Sequence, residues 1–413
     1  MFPAFEEAKY GKTVHCHYKG YADADKTKKP YEQEMIHKTN GEAFYWALVE
    51  HGIKEKRPEI KLCFDTSAEK LLQDESGAVI GVQALYNGKT INIMAKKGVV
   101  LATGGFEFNA EMRRASLEGP GVKGWSFYGS PFNTGDGIRM GIQAGAALAK
   151  VGTCASRIEL AFPVGEAYEK YGLKQGVASA ATAARNSFIV DNYGHRYADE
   201  SIITDSSRPF RYQFYHEAVA YDLMHMAFSR DPSWLIFDET LRSSTSIAVT
   251  SYSAVPFDFC PWTPDNMYAI EQGWILKADT IEELAEKIKA DEENRKMMDS
   301  ATLKATCERF NELVEKGVDE DFGRGKRTMG AVKTAPFYAV KMYPGGPNTK
   351  GGIDADATRH VLDWEGKQIA RLYTAGEISS VFKFTYQAGG NLTECIVCGR
   401  LAGKNAAAEN SWC

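Results

Sequence analysis

Residues 372–408, LYTAGEISSVFKFTYQAGGNLTECIVCGRLAGKNAAA, constrain this chain more than any other stretch. They read as a short buried strand ending at Ala375-Gly376-Glu377, an irregular loop, a Gly389-Gly390-Asn391 turn, and a helix crowded with small residues. A glycine pair just before a helix lets backbone N–H groups approach a ligand closely, because no Cβ stands in the way. The partial positive charge of the helix N-terminus favours an anion there. An acidic residue at a strand end suits a ribose or ribityl hydroxyl. The segment predicts a large anionic cofactor whose reactive end lies at a helix start.

Other punctuation along the chain fits the same plan. Ala102-Thr103-Gly104-Gly105 follows the apolar run Gly98-Val99-Val100-Leu101, and Thr134-Gly135-Asp136-Gly137 opens a helix expected to reach Leu148. Asp191-Asn192-Tyr193-Gly194-His195-Arg196-Tyr197-Ala198-Asp199-Glu200, Asp321-Phe322-Gly323-Arg324 and Gly351-Gly352-Ile353 complete an ordered set. With these motifs, from about residue 38 to the end, the chain resembles the fumarate reductase, succinate dehydrogenase and 3-ketosteroid dehydrogenase superfamily of flavoproteins. The resemblance implies an α/β fold: an FAD-binding Rossmann-like domain carrying an inserted α+β capping domain. It implies FAD held by Ala102, Thr103, Gly104, Gly105, Asp136, Gly376, Glu377, Gly389, Gly390, Asn391 and Leu392, with the ring beside Gly390-Asn391-Leu392 and Glu377 near the ribose or ribityl chain.

That family begins with a strand, a G-x-G-x-x-G turn and a helix that hold the pyrophosphate. MFPAFEEAKYGKTVHCHYKG offers no such unit. The one match, Gly119-Pro120-Gly121-Val122-Lys123-Gly124, follows a charged segment and leads into Trp125-Ser126-Phe127-Tyr128, so its context is wrong for a phosphate loop. The chain is expected to lack the first βαβ unit. A truncated gene model, one piece of a split protein and a degenerate copy all stay open.

A chain of 413 residues exceeds the size at which one core stops growing, about 250–300 residues. The expected division is residues 1–150 for the first part of the FAD domain, 151–336 for the cap and 337–413 for the return to the FAD domain. Net charge of −5 argues against a nucleic-acid partner. No apolar run approaches the ~20 residues of a membrane helix. A cytoplasmic location is the expectation, with any export signal falling in the missing N-terminus. Eight cysteines in a chain of this length are no disulfide framework, and Cys395 and Cys398 read as packing residues. Local patterns give a helix over Gly41–His51 and a meander over Leu62–Met94 with turns at Glu75-Ser76-Gly77 and Asn87-Gly88. They also give strands at Gly98–Thr103 and Trp234–Phe237, a helix capped by Thr280 and Glu283, and an amphipathic helix over Asn294–Lys316.

For chemistry, the fumarate-reducing branch holds its dicarboxylate with cations. On this chain those positions fall on Thr204, Asn348 and Gln387, and that branch's proton relay falls near Ala180 and Ala183. Without guanidinium groups to pair with carboxylates, fumarate fits poorly. Tyr386 stands four residues before Gly390, the Y-x-x-x-G spacing of the ketosteroid branch. By that resemblance, the tyrosine hydroxyl and the Gly390 N–H would both donate to a substrate carbonyl oxygen, an oxyanion hole for an enolate. Packing of Tyr386 against the isoalloxazine is the alternative. Arg208, Arg211, Tyr212, Tyr215 and His216 are candidates for the second acid/base, with a plain amphipathic surface helix as the competing reading. The resemblance implies an oxidoreductase that reduces or forms a C=C bond beside a carbonyl in an enone or ketosteroid-like small molecule. Hydride passes through flavin N5, and an unidentified electron donor or acceptor completes the cycle. A urocanate-, acrylate- or fumarate-type carboxylate reductase and a non-catalytic flavoprotein fragment remain as alternatives.

Overall fold

The computed structural model describes residues 46–179, 181, 184–203, 213–249, 262–383 and 390–412. Among the described residues, 46–66 belong to a first unit, in which Trp46–Glu55 winds as a wide, π-type helix; the first five residues of the expected Gly41–His51 helix lie outside the described residues. The rest, from Ser67, is the second unit.

Its elements run β1 (Thr66–Gln73), β2 (Val79–Tyr86), β3 (Lys89–Met94), β4 (Val99–Leu101), α1 (Ala110–Ser116), β5 (Ser126–Phe127), α2 (Asp136–Gln143) and β6 (Leu148–Ala149). The middle continues with β7 (Arg157–Phe162), α3 (Glu166–Tyr171), β8 (Gln175–Val177), β9 (Ser187–Val190), α4 (Gln213–Ala218), β10 (Ser233–Asp238), α5 (Glu239–Ser244), α6 (Met267–Glu271) and β11 (Ile275–Ala278). Last come α7 (Ile281–Ala290), α8 (Ser300–Lys316), β12 (Phe337–Gly346), β13 (Gly352–Ile353), β14 (His360–Leu362), β15 (Gln368–Thr374) and α9 (Gly390–Ala408).

β1, β2 and β3 form the expected meander. Asn87 and Gly88 both take positive φ, 47° and 74°, as a two-residue hairpin turn requires. β4 pairs in parallel with β15, Val99 opposite Leu372 and Leu101 opposite Thr374, and β14 flanks β15. The β4 strand is only partly buried: Leu101 is enclosed, whereas Val100 is 38% exposed. On this sheet α9 packs through Cys398, Ala402 and Ala406 against Tyr373 and Ala375, small side chains that let the helix come close. Cys398 is therefore a packing residue, while Cys395 is exposed.

A seven-stranded sheet makes the larger body, in the order β5-β8-β7-β12-β10-β9, with β11 also on β12. β12 is its centre: Phe337–Met342 pair with β10, Phe337–Val340 with β11, and Met342–Gly345 with β7. β10 and β4 lie in different sheets. The sheet draws on residues on both sides of the expected cap boundaries, since β12 begins at Phe337 and β5 at Ser126. A Cβ on Gly345 would lie 1.8 Å from the Ser126 carbonyl oxygen, so the parallel approach of β5 to β12 needs glycine there. α7 and α8 cover one face, burying Leu284, Ile288, Leu303 and Phe310 against Phe188, Trp234 and Ile236.

Helix ends follow their caps. Thr280 accepts from the Glu283 N–H at 3.1 Å and starts α7. α8 starts at Ser300 rather than near Asn294, because Asp299 accepts from the Thr302 N–H at 2.8 Å. α2 stops at Gln143 instead of reaching Leu148: Gly145 turns the chain at φ 97°, and Leu148–Ala149 pair with β13. The motifs Asp191–Glu200 and Asp321–Arg324 meet in a buried ion network. Arg196 bonds Glu200 at 3.0 Å and Asp319 at 2.9 Å, and Arg324 donates to the Ser187 carbonyl at 2.7 Å. Burial alone would raise the Glu200 carboxyl, but Arg196 and Arg324 outweigh it and hold it below its ordinary value.

Candidate functional site

Three of the glycine motifs converge where β4 ends. A Cβ on Gly137 would stand 2.0 Å from Thr103 Oγ1 and 2.8 Å from Ile378 Cδ1, so α2 presses directly on the turn after β4 and on the segment after β15. Gly135, at φ 76°, begins α2 and donates its N–H to the Gly105 carbonyl at 3.0 Å. Gly104 also takes positive φ, 77°.

Gly105 is the centre of the site. A Cβ there would lie 2.0 Å from Glu377 Oε1, 2.2 Å from Thr349 Oγ1 and 2.6 Å from Glu107 Oε2, so three oxygens from three segments crowd its Cα. Thr349 Oγ1 is 3.1 Å from Glu107 and 3.1 Å from Glu377, and it accepts from the Phe106 N–H at 3.1 Å. Asn133 Nδ2 donates to Glu107 Oε1 at 2.7 Å. Glu107 is fully enclosed; Glu377 keeps some accessible surface, but its carboxyl is turned inward. Burial raises both carboxyls above their ordinary values, and the charge of Glu107 pushes Glu377 further up.

Beside this pair, Asn348-Thr349-Lys350 runs under the N-terminus of α9. Lys350 Nζ bonds Asn391 Oδ1 at 2.5 Å and lies 3.8 Å from Glu394 Oε1. Asn391 Nδ2 in turn donates to Asn348 Oδ1 at 2.6 Å. Burial lowers the Lys350 ammonium, and Glu394 and Glu377 partly restore it. Glu394 also accepts from Ser380 Oγ at 3.1 Å and the Val381 N–H at 3.1 Å, which ties α9 to the loop after Glu377. Behind Glu107, Arg113 is buried over the Phe127 ring at 4.9 Å, and burial brings its guanidinium down to about 9. Its Nη2 has no hydrogen-bond partner among the described residues.

The structure thus gathers Thr103, Gly104, Gly105, Gly376, Glu377, Gly390 and Asn391 around one locus, with Ala102 exposed at the end of β4. Asp136 heads α2 and is bonded by Thr134 at 2.8 Å and Arg139 at 3.0 Å. Leu392 is half exposed on α9. Gly389, Tyr386, Arg211, Tyr212 and Arg208 lie outside the described residues, as do Thr204, Gln387, Ala180 and Ala183. Tyr215 is buried on α4 with its hydroxyl 3.4 Å from Cys154 Sγ, and His216 is exposed. Glu107, Asn133, Thr349 and Lys350 are absent from the sequence-based set. Their only signal was position: each lies within or beside a motif read for its glycines.

The model of an FAD binding domain family matches residues 27–392. The chain is similar to the 3-oxosteroid 1-dehydrogenase of Mycolicibacterium smegmatis, 33% identical over 366 residues that cover 81% of this chain and 57% of the relative. It is also similar to the NADH:acrylate oxidoreductase of Vibrio harveyi, 29% identical over 84% of this chain and 30% of the relative. Among solved structures, the 3-ketosteroid delta1-dehydrogenase of Sterolibacterium denitrificans in complex with 1,4-androstadiene-3,17-dione superposes with a TM-score of 0.69 and 26% identity, covering 89% of this chain and 62% of that one. The chain spans about half the length or less of these curated relatives. Among the described residues no helix is long and apolar enough to cross a membrane, and no cluster of metal-ligating side chains occurs.

Proposed function

Because the chain belongs to the FAD binding domain family, we propose that it serves an FAD-dependent oxidoreductase that forms or reduces a C=C bond next to a carbonyl, with a neutral, ketosteroid-like enone as substrate. The residues fit FAD. Ala102 and Thr103 are exposed at the end of β4, Gly390-Asn391 opens α9 where a helix N-terminus favours an anion, and Glu377, Gly390 and Asn391 are proposed as hydroxyl- and ring-binding groups. When bound, FAD supplies the two-electron chemistry. The chain's own residues bind, orient and polarise.

The observation that carries the substrate class is Asn348. It stands where a carboxylate-reducing enzyme of the resembled branch has a histidine, and both ends of its amide are engaged: Nδ2 donates to the Thr349 carbonyl at 2.6 Å and Oδ1 accepts from Asn391. A neutral, already bonded amide offers a substrate carboxylate no charge. Tyr386 and the Gly390 N–H are the two donors proposed for the substrate carbonyl oxygen, and a cap residue, Arg211 or Tyr212, exchanges the proton at the α-carbon. The seven-stranded body is proposed as the cap. An electron donor or acceptor outside this chain completes turnover.

A carboxylate reductase remains the second reading, favoured by the acrylate-reducing relative and by the buried cation Lys350. Steady-state assays separate the two. Dye reduction driven by a 3-ketosteroid, with no viologen oxidation by acrylate or fumarate, is the expected result. The converse overturns the ketone reading.

A further inference from the structure

We propose that Glu107 and Glu377 form one acid pair that holds a single proton, relayed through the Thr349 hydroxyl, with the proton on Glu377 and the negative charge on Glu107. A threonine hydroxyl has one proton to give and two lone pairs to fill. The Phe106 N–H fills one lone pair at 3.1 Å. Two carboxyl oxygens then stand 3.1 Å each from the same Oγ1. If both were carboxylates, one of these contacts would hold no hydrogen, and two buried charges would face each other across Gly105. One proton on the pair resolves this: the acid O–H donates to Thr349 or directly to the facing Glu107 carboxyl, which is also within hydrogen-bond reach, and the Thr349 O–H donates to the carboxylate.

The surroundings decide which side is which. Asn133 donates to Glu107 Oε1 at 2.7 Å, an amide bond that favours the ionised form. No described amide donates to the Glu377 carboxyl in this way. Arg113 also lies on the Glu107 side, where its Nε donates to the Glu107 carbonyl. Facing Glu377 are Lys350, whose charge already has Glu394 at 3.8 Å, and the thiol of Cys395. Burial raises both carboxyls, and the charge of Glu107 raises Glu377 further, in the sense this arrangement requires. Glu107 and Thr349 are then positioning residues: they keep Glu377 neutral, so that an anionic cofactor meets one negative charge here instead of two.

A carboxyl that binds its proton more tightly in the folded chain loses stability as pH rises from the ordinary carboxylate range through its own raised value. Glu159, pushed up by burial to about 7, and Asp231 add similar slopes, so the pair is isolated only by comparing variants. The test is the thermal midpoint of the cofactor-free full chain from pH 6 to 9, and it depends on neither substrate nor activity. E377Q, whose amide copies the donation of the protonated acid to Thr349, should match the wild type at pH 6 and lose less stability towards pH 9. E107Q should be less stable at every pH, because it removes the acceptor that Asn133 and Thr349 both need. Infrared spectra of ¹³C-glutamate-labelled protein at pH 8 should show a protonated glutamic acid band in the wild type that vanishes in E377Q. Equal pH slopes for wild type and E377Q, or no such band, overturn the shared proton. A stable E107Q beside a crippled E377Q overturns its placement.

Discussion

Replacing Gly105 with alanine is the sharpest steric probe of the site. The added methyl would sit 2.0 Å from Glu377 Oε1, 2.2 Å from Thr349 Oγ1 and 2.6 Å from Glu107 Oε2, each well inside van der Waals contact. Relief requires these oxygens to move apart. Thr349 is fixed by the Phe106 N–H, and Glu107 by Asn133. Overpacking of an enclosed site costs about 1–3 kcal/mol, and the loss of the two Thr349–carboxyl bonds adds about 1 kcal/mol each. The expected destabilisation is therefore about 3–5 kcal/mol. Gly399→Ala is the control: it lies within α9 with nothing inside 4 Å of the added Cβ, and alanine is the better helix former by about 1 kcal/mol. Urea unfolding at neutral pH should show a lower midpoint with unchanged slope for Gly105→Ala and an equal or higher midpoint for Gly399→Ala. A Gly105→Ala chain within about 0.5 kcal/mol of wild type would refute the crowding, since surface changes alone reach that range.

Glu200→Gln should destabilise by about 3–5 kcal/mol, because Arg196 and Arg324 lose their shared buried carboxylate; calorimetry of the chain measures it. Burial would raise Glu293, but Lys174 and Lys341 hold it down at about 2, so its stabilising effect is complete above the ordinary carboxylate range and fades as pH falls from about 5 towards 2. Glu293 is only part-buried, so the effect is small; acid titration of Glu293→Gln against wild type should show the two drawing together as pH falls below about 5 and meeting near pH 2. Tyr386→Phe in the flavin-loaded protein should lower kcat and kcat/KM for enone reduction by ~10²–10³ while leaving FAD content unchanged. Full activity in that variant, with loss in Arg211→Ala, would move the account to the carboxylate reading.

How far the sequence carried differs by scale. Turn chemistry is local, so the meander turns, the Thr280 cap and the strand at Trp234–Phe237 could be read directly. Gly105, Gly137 and Gly376 could be read as motif residues, but which atoms approach them depends on partners far along the chain. Lys350 shows the limit: a lysine between threonine and two glycines reads as solvated, and only the docking of α9 buries it. β12 shows the same for topology. The sequence reading assigned no strand there, and its place at the centre of a sheet that recruits β5, β7, β10 and β11 is set by pairings that no local pattern encodes.

A single anaerobic half-reaction tests whether this flavoprotein exchanges hydride with a neutral carbonyl-conjugated substrate, as proposed. FAD-loaded protein is mixed with a 3-ketosteroid under nitrogen, and flavin absorbance is followed through one turnover. Bleaching of the oxidised flavin with formation of one equivalent of the dehydrogenated ketone is expected, with no reoxidation of the reduced protein by fumarate or acrylate. A flavin that the ketosteroid leaves oxidised, but that fumarate or acrylate reoxidises once reduced, would contradict it.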